Sequence, residues 1–202
     1  MMKITNYKKQ GNTITFTLSG VNGKLVNALR RIIIAGVPTI AVEKVTYYSN
    51  SSVLNDEVIS HRLGLVPLKT DLKTYTMPSE CTCKGEGCGK CTLVLTLEAE
   101  GPKTVYSGEL NSTDPKVVPV YDKIPIIKLA GNQKIKLEAK ANLGIGRDHI
   151  KWQAGLASYE LKEKDTYDFM VESYGQYEPE ELLANAFRVM EDRLKELKSQ
   201  AG

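Results

Sequence analysis

The sequence predicts an α+β fold in which two helix-bearing ends enclose a mostly β middle, and three observations carry that reading. Apolar residues recur at helical spacing near both ends, from Leu25 to Ile34 and from Leu182 to Leu197. Apolar and polar residues alternate through several segments between them, as half-buried strands require. From Lys69 to Lys90 periodicity is lost and Gly, Thr, Pro and Cys accumulate, which marks an irregular loop.

The composition supports a chain with a substantial core: 202 residues, 42% of them hydrophobic, are enough for one ordinary domain or two small ones. The net charge is +3, from 27 basic and 24 acidic residues, and no Lys/Arg block dominates any segment, so composition does not signal direct nucleic-acid binding. No run of about 18 apolar residues is present, and the first nine residues alternate where a signal peptide needs an apolar run, so a cytoplasmic protein without membrane attachment is expected.

In chain order, Lys3 to Lys8 and Thr13 to Leu18 read as a hairpin turning through Gln10-Gly11-Asn12, with Ile14, Phe16 and Leu18 on one face. The first helix follows, with Asn22 placed to cap it and Gly36 with Pro38 placed to stop it, the glycine in a left-handed cap. Its stripe of Leu25, Leu29, Ile32 and Ile33 is widened by Val26 and Ile34. A helix this apolar needs cover on two sides, from its own domain and from a partner. Thr39 to Tyr48 reads as a strand, and Asn55-Asp56-Glu57 as the start of a second helix ending at Gly64. Beyond the irregular loop, Leu93, Leu95, Leu97 and Ala99 alternate, as do Ile135, Leu137, Ala139 and Ala141. Val117 to Tyr121 and Ile124 to Leu129 are short candidate strands whose prolines suit edges or strand starts. Trp152 to Leu161 and Thr166 to Ser173 read as a strand pair. Pro179 then opens a terminal helix of roughly five turns, apolar at Leu182, Leu183, Ala186, Phe187, Met190, Leu194 and Leu197.

All four cysteines fall in one loop, Cys81, Cys83, Cys88 and Cys91, with Gly85, Gly87 and Gly89 among them. In a reducing compartment such clustering points to metal rather than disulfides. Four thiolates complete a tetrahedral zinc site, and the glycines permit the tight turns that let closely spaced ligands converge. An iron-sulfur cluster takes the same ligands, and four free thiols are the third alternative. No histidine or open position stands nearby, so the expected role is structural rather than catalytic.

Other motifs carry less. Gly144-x-Gly146 lacks the third glycine of a dinucleotide loop and precedes a strand-like run where that fingerprint needs a helix. His61, beside Arg62, has no nucleophile to serve and reads as a structural or interface hydrogen bonder, as does His149 near Trp152. Arg30 and Arg31 could pair with a partner's carboxylates or form a solvated helix face.

Three motifs together resemble a known family: Asn27-Ala-Leu-Arg-Arg on the first helix, Val53-Leu-Asn-Asp-Glu-Val-Ile-Ser-His-Arg-Leu-Gly-Leu-Val-Pro-Leu, and Gly146-Arg-Asp-His-Ile-Lys-Trp. They are similar, in order, to the D-type subunits of archaeal DNA-directed RNA polymerase, relatives of the third-largest subunit of eukaryotic RNA polymerase II and of the N-terminal domain of the bacterial alpha subunit. The resemblance implies a split dimerisation domain, an antiparallel sheet with two long helices, formed by residues 1–46 and 147–202. It implies a mostly β insert domain over residues 47–146, with a metal loop at 81–91.

It further implies a noncatalytic assembly subunit of DNA-directed RNA polymerase, a nucleotidyltransferase whose catalytic carboxylates lie on another chain. The two helices would pair with a smaller alpha-like subunit, called L in archaea, and the heterodimer would gather the large catalytic subunits and small assembly subunits. DNA and RNA would be met only indirectly. Leu25, Leu29, Arg30, Ile32, Ile33, Phe187, Met190 and Leu194 are then the interface candidates, and His61, Arg62, His149 and Trp152 the candidates for contact with other subunits. The cysteine loop resembles the zinc loop of the eukaryotic relative. Many archaeal members instead carry a larger insert with a ferredoxin-like domain and an iron-sulfur cluster, for which 202 residues and four cysteines leave no room. The competing classes are a zinc-loop protein that binds nucleic acid by itself and a metal or redox enzyme using the cysteines.

Overall fold

The structure is a computed structural model describing residues 2–201. The chain divides into two compact units, one made of residues 1–37 and 145–202 and the other of residues 38–144.

The discontinuous unit is built on a four-stranded antiparallel sheet in the order β1 (Lys3–Gln10), β2 (Thr13–Ser19), β10 (Thr166–Ser173), β9 (Gly155–Glu163). The two ends of the chain meet in register across β2 and β10, from Thr13 opposite Glu172 to Ser19 opposite Thr166. Alternation then sends Ile14, Phe16 and Leu18, with Tyr167, Phe169 and Val171, to one buried face. Phe16 and Phe169 stack there with ring centroids 5.4 Å apart, and Tyr159 of β9 lies 6.1 Å from Phe169.

Two helices cover that face. Helix α1 (Gly23–Ala35) packs on β9, and the terminal helix α3 (Pro179–Ala201) packs on β10 and β2 and lies beside α1. The Asn22 side chain caps α1 by accepting from the Lys24 N–H at 2.8 Å, as the sequence predicts. The stop differs from expectation: Gly36 has φ −118°, a right-handed conformation open to any residue. Space selects the glycine instead, because a Cβ there would lie 3.1 Å from the Ile32 carbonyl oxygen and 3.3 Å from Arg193 Nη2.

Strand β1 is exposed along its whole length. A bulge between Thr5 and Lys8, with Asn6 at φ 53°, and the lysines 3, 8 and 9 keep this free edge from pairing with another chain. Its second half is tied to the start of α3: Tyr7 Oη donates to Glu180 at 2.7 Å, and Lys9 Nζ bridges Glu178 at 3.0 Å and Glu180 at 2.9 Å.

The continuous unit holds a second antiparallel sheet, ordered β3 (Thr39–Asn50), β8 (Lys134–Gly144), β4 (Thr92–Glu100), β6 (Asn111–Ser112), and a two-stranded ribbon of β5 (Lys103–Tyr106) with β7 (Pro125–Leu129). The predicted alternation holds, since Leu93, Leu95 and Leu97 meet Ile135, Leu137, Ala139 and Ala141 in one core. Helix α2 (Asp56–Gly64) closes that core with Ile59 and Leu63, and Tyr47 Oη ties it to β3 through the Asp56 carbonyl and Ser60 Oγ.

Two details depart from the sequence reading. Strand β3 lies wholly in the continuous unit, paired with β8 from Thr39 opposite Gly144 onward, so the observed division falls before it rather than at residue 46. Its first four residues are all buried, and its register against β8 shifts after Val42. Val117 to Tyr121 forms no strand: a single bridge joins Pro119 to Leu68, since Pro119 has no N–H to extend a ladder.

Two outcomes test this account. Phe169→Ala should lower unfolding stability by about 3–5 kcal/mol, read by denaturant titration, because a stacked ring leaves a cavity at the central strand pair. Lys9 and then Tyr7, donating to Glu180, hold its carboxyl down to about 2 from 4.5. Its contribution is present above the ordinary carboxylate pKa and is lost as pH falls through about 2. Glu180→Gln should therefore lower the melting temperature near neutral pH, and the two proteins should converge at the acid end.

Candidate subunit interface and metal centre

Helices α1 and α3 share a groove with an apolar floor and leave Leu25, Leu194 and Leu197 exposed. Within α1, Leu29 and Ile33 turn inward with exposures of 1% and 0%, so both are spent on the chain's own core. Ile32 is almost covered, while Leu25 remains 40% exposed. On α3, Met190 is buried and Phe187 half-buried, but every residue from Glu191 to Gln200 is exposed, with Leu194 at 51% and Leu197 at 61%. Arg30 is tied to its own helix by two hydrogen bonds to Asn27 Oδ1, at 3.3 and 3.1 Å.

Between the helices lies a groove of about 380 Å³, floored by Ala28, Ile32, Ala35, Met190 and Leu194 and rimmed by Arg31, Arg147 and Arg193. The groove exists because Ala28 and Ala35, a small-residue row two turns long, leave space that larger side chains would fill. Sequence periodicity pointed to the large apolar residues and passed over these alanines. Arg147 and Arg193 join the site only through the fold: the Arg147 N–H donates to the Ala35 carbonyl at 3.0 Å, and the Arg193 guanidinium rests against Gly36.

The remaining contact candidates fall in two places. His149, Lys151 and Trp152 share one short 3-10 turn in the discontinuous unit. His149 Nδ1 accepts from the Lys151 N–H at 3.1 Å and its ring meets Trp152 edge-on, while Lys151 Nζ stands 4.3 Å over the indole. His61 and Arg62 are exposed on α2 of the other unit, where Arg62 donates to the Pro125 carbonyl.

The four cysteines converge in the continuous unit, with all four sulfurs within 4.8 Å of one another. Cys81 lies 3.5 Å from both Cys83 and Cys88, and Cys91 lies 3.4 Å from Cys83 and 3.9 Å from Cys88. A tetrahedral ion with metal-sulfur bonds of about 2.3 Å holds its ligands about 3.8 Å apart, so these residues fit a single ion. The backbone is shaped for the purpose. Lys84, Gly85 and Gly87 take positive φ angles of 53°, 86° and 94°, turning amide groups toward sulfur.

The Gly87 N–H, then the Cys91 thiol, pull Cys83 down to about 6. At Cys81 the Cys83 N–H acts in the same direction but is outweighed by neighbouring thiols and burial, leaving it at about 11. Cys81 and Cys91 are buried and the other two half-buried.

Fold and match together define a class. Residues 40–159 match the family described as the RNA polymerase Rpb3/RpoA insert domain. Curated relatives carry the name DNA-directed RNA polymerase subunit Rpo3. The one from Methanosarcina acetivorans is 48% identical over 157 residues, covering 77% of this chain and 59% of the relative. That from Pyrococcus horikoshii is 47% identical over 159 residues, with 79% and 59% covered. That from Pyrobaculum calidifontis is 34% identical over 245 residues, with 97% and 95% covered. The chain belongs to the RNA polymerase Rpb3/RpoA family, among relatives named as the archaeal polymerase subunit Rpo3. It spans 59% of the length of the first two relatives.

If the four cysteines hold an ion, Cys88→Ser should lower metal content and loosen residues 75–92 while leaving the discontinuous unit folded, because all four candidate ligands lie inside one loop of the other unit. Circular dichroism and hydrogen exchange read the two effects separately, and global unfolding would contradict the autonomy of the loop.

Proposed function

We propose that this chain is a noncatalytic assembly subunit of a DNA-directed RNA polymerase, pairing through α1 and α3 with a smaller alpha-like subunit so that the heterodimer gathers the large catalytic subunits. The observation that carries it is the apolar surface shared by two adjacent helices whose other sides are already covered by their own sheet. A monomer has no use for three exposed leucines and an open groove along one helix pair, whereas a partner's helices would bury them. Leu25, Ile32, Phe187, Met190, Leu194 and Leu197 form the pairing surface in this reading, and Leu29 and Ile33 support it from behind.

The chain supplies no catalytic group in this proposal; polymerase chemistry belongs to the assembled complex, and DNA and RNA are met through other subunits. Residues 38–144 act as the insert, whose α2 offers His61 and Arg62 to another subunit, and the turn at His149 and Trp152 serves a second such contact. The cysteine centre holds zinc as a structural ion. Four sulfurs within 4.8 Å of one another support a single tetrahedral ion, which needs no sulfide between its ligands. No helix among the described residues is long and apolar enough to cross a membrane, in keeping with a cytoplasmic complex.

Native mass spectrometry of the purified chain mixed with the smaller alpha-like subunit should give a one-to-one heterodimer, with one zinc per chain by elemental analysis. A chain that stays monomeric beside that subunit would remove the assembly role. Iron with a visible absorption band would remove the zinc assignment.

A further inference from the structure

The groove between α1 and α3 carries more charge than its own structure requires. Arg31, Arg147 and Arg193 stand on its rim, and none of them has an ion pair or side-chain hydrogen bond among the described residues. No acidic side chain lines the groove among those residues. The neighbouring acids are occupied elsewhere, as Glu191 and Asp192 pair with Lys195 at 2.8 and 3.6 Å.

Part of this charge has a local explanation. The carboxyl end of α1 points at the groove and carries no basic residue in its own last turn. A helix end carries roughly half a negative charge, so one guanidinium satisfies it, and Arg193 against Gly36 is placed to do so. Three arginines overshoot that need several-fold. Arginine's planar fork is suited to a carboxylate, and a rim of such forks beside an apolar floor selects a ligand with both characters.

We propose that the segment seated in this groove is an acidic amphipathic helix of the smaller alpha-like subunit. An apolar anchor of that helix fills the space over Ala28 and Ala35, and a carboxylate one turn away lies between Arg147 and Arg193. The proposal rests on the assembly reading above and adds the chemistry by which the partner is chosen. Like charges at this rim repel a second copy of the chain, so the arginines favour the heterodimer over self-association.

The test measures the dissociation constant of the full chain with the smaller alpha-like subunit by calorimetry, at low and high salt. Arg147→Glu with Arg193→Glu should weaken binding on the order of tenfold or more at low salt and abolish most of its salt dependence. Arg193→Lys, which keeps the charge but loses the planar fork, should weaken binding less than its reversal to glutamate does. Exchanging the partner's facing carboxylate for lysine should recover binding to the reversed chain. Ala28→Trp, which obstructs the groove without touching charge, should block binding. If the double reversal disturbs folding by circular dichroism, the single reversals Arg147→Glu and Arg193→Glu serve in its place.

Loss of binding in Ala28→Trp together with unchanged affinity in the charge reversals would overturn the acidic partner while leaving the assembly role intact. Absence of binding by the unaltered chain would overturn both.

Discussion

The pairing of β2 with β10 is the contact on which the discontinuous unit depends. It joins residues far apart in the chain, as in the Thr17 hydroxyl bond to Asp168 across a separation of 151. Closing a flexible loop of that length costs entropy before any contact returns it, although the cost grows only logarithmically. The inserted unit removes most of this difficulty. Its first strand residue, Thr39, pairs with its last, Gly144, so its own folding delivers the two flanking segments side by side. The effective loop to be closed is then short. The Phe16–Phe169 stack and the buried row around it stabilise the strand pair once it forms.

From that sheet the helices inherit their positions. One face of the sheet is apolar, so α1 and α3 must both lie on it, and because the face is narrow they lie against each other. A helix on a sheet buries one stripe, and Val26, Leu29 and Ile33 meet that demand for α1. What the sheet cannot bury is the adjoining stripe through Leu25 and Ala28, beside which Ile32 is almost covered. The exposed leucines of α3 extend the same surface. The proposed pairing surface is therefore a consequence of folding two wide-striped helices onto one four-stranded sheet.

Much of this was legible because the local chemistry was unambiguous. Asn22, Pro179 and the alternation in β2, β4 and β8 each fix an element through one named physical preference. Elements set by long-range geometry were not legible. Strand β5 is four residues long and exists only because β7 lies beside it. The right-handed Gly36 misled because glycine after a helix has two uses, freedom of φ and absence of bulk, and the sequence does not say which applies. At the candidate sites the same division holds. Four cysteines within eleven residues announce a metal centre by spacing. A groove made by two alanines and by arginines from three separate segments announces nothing until the chain is folded.

The two sites also differ in what they depend on. The cysteine centre is closed by short-range backbone bonds, Lys84 to Cys81 at 2.9 Å, Glu86 to Cys83 at 3.1 Å and Cys91 to Cys88 at 3.0 Å, so a metal can order it independently of the sheet. The groove needs α1, the 145–153 segment and α3 at once, and so needs the β2–β10 pairing. Damage to the sheet core should therefore reach the pairing surface and spare the metal loop. On the proposed reading, a destabilised chain would lose its pairing surface while keeping a loop able to bind an ion, which makes metal content a poor proxy for competence to pair.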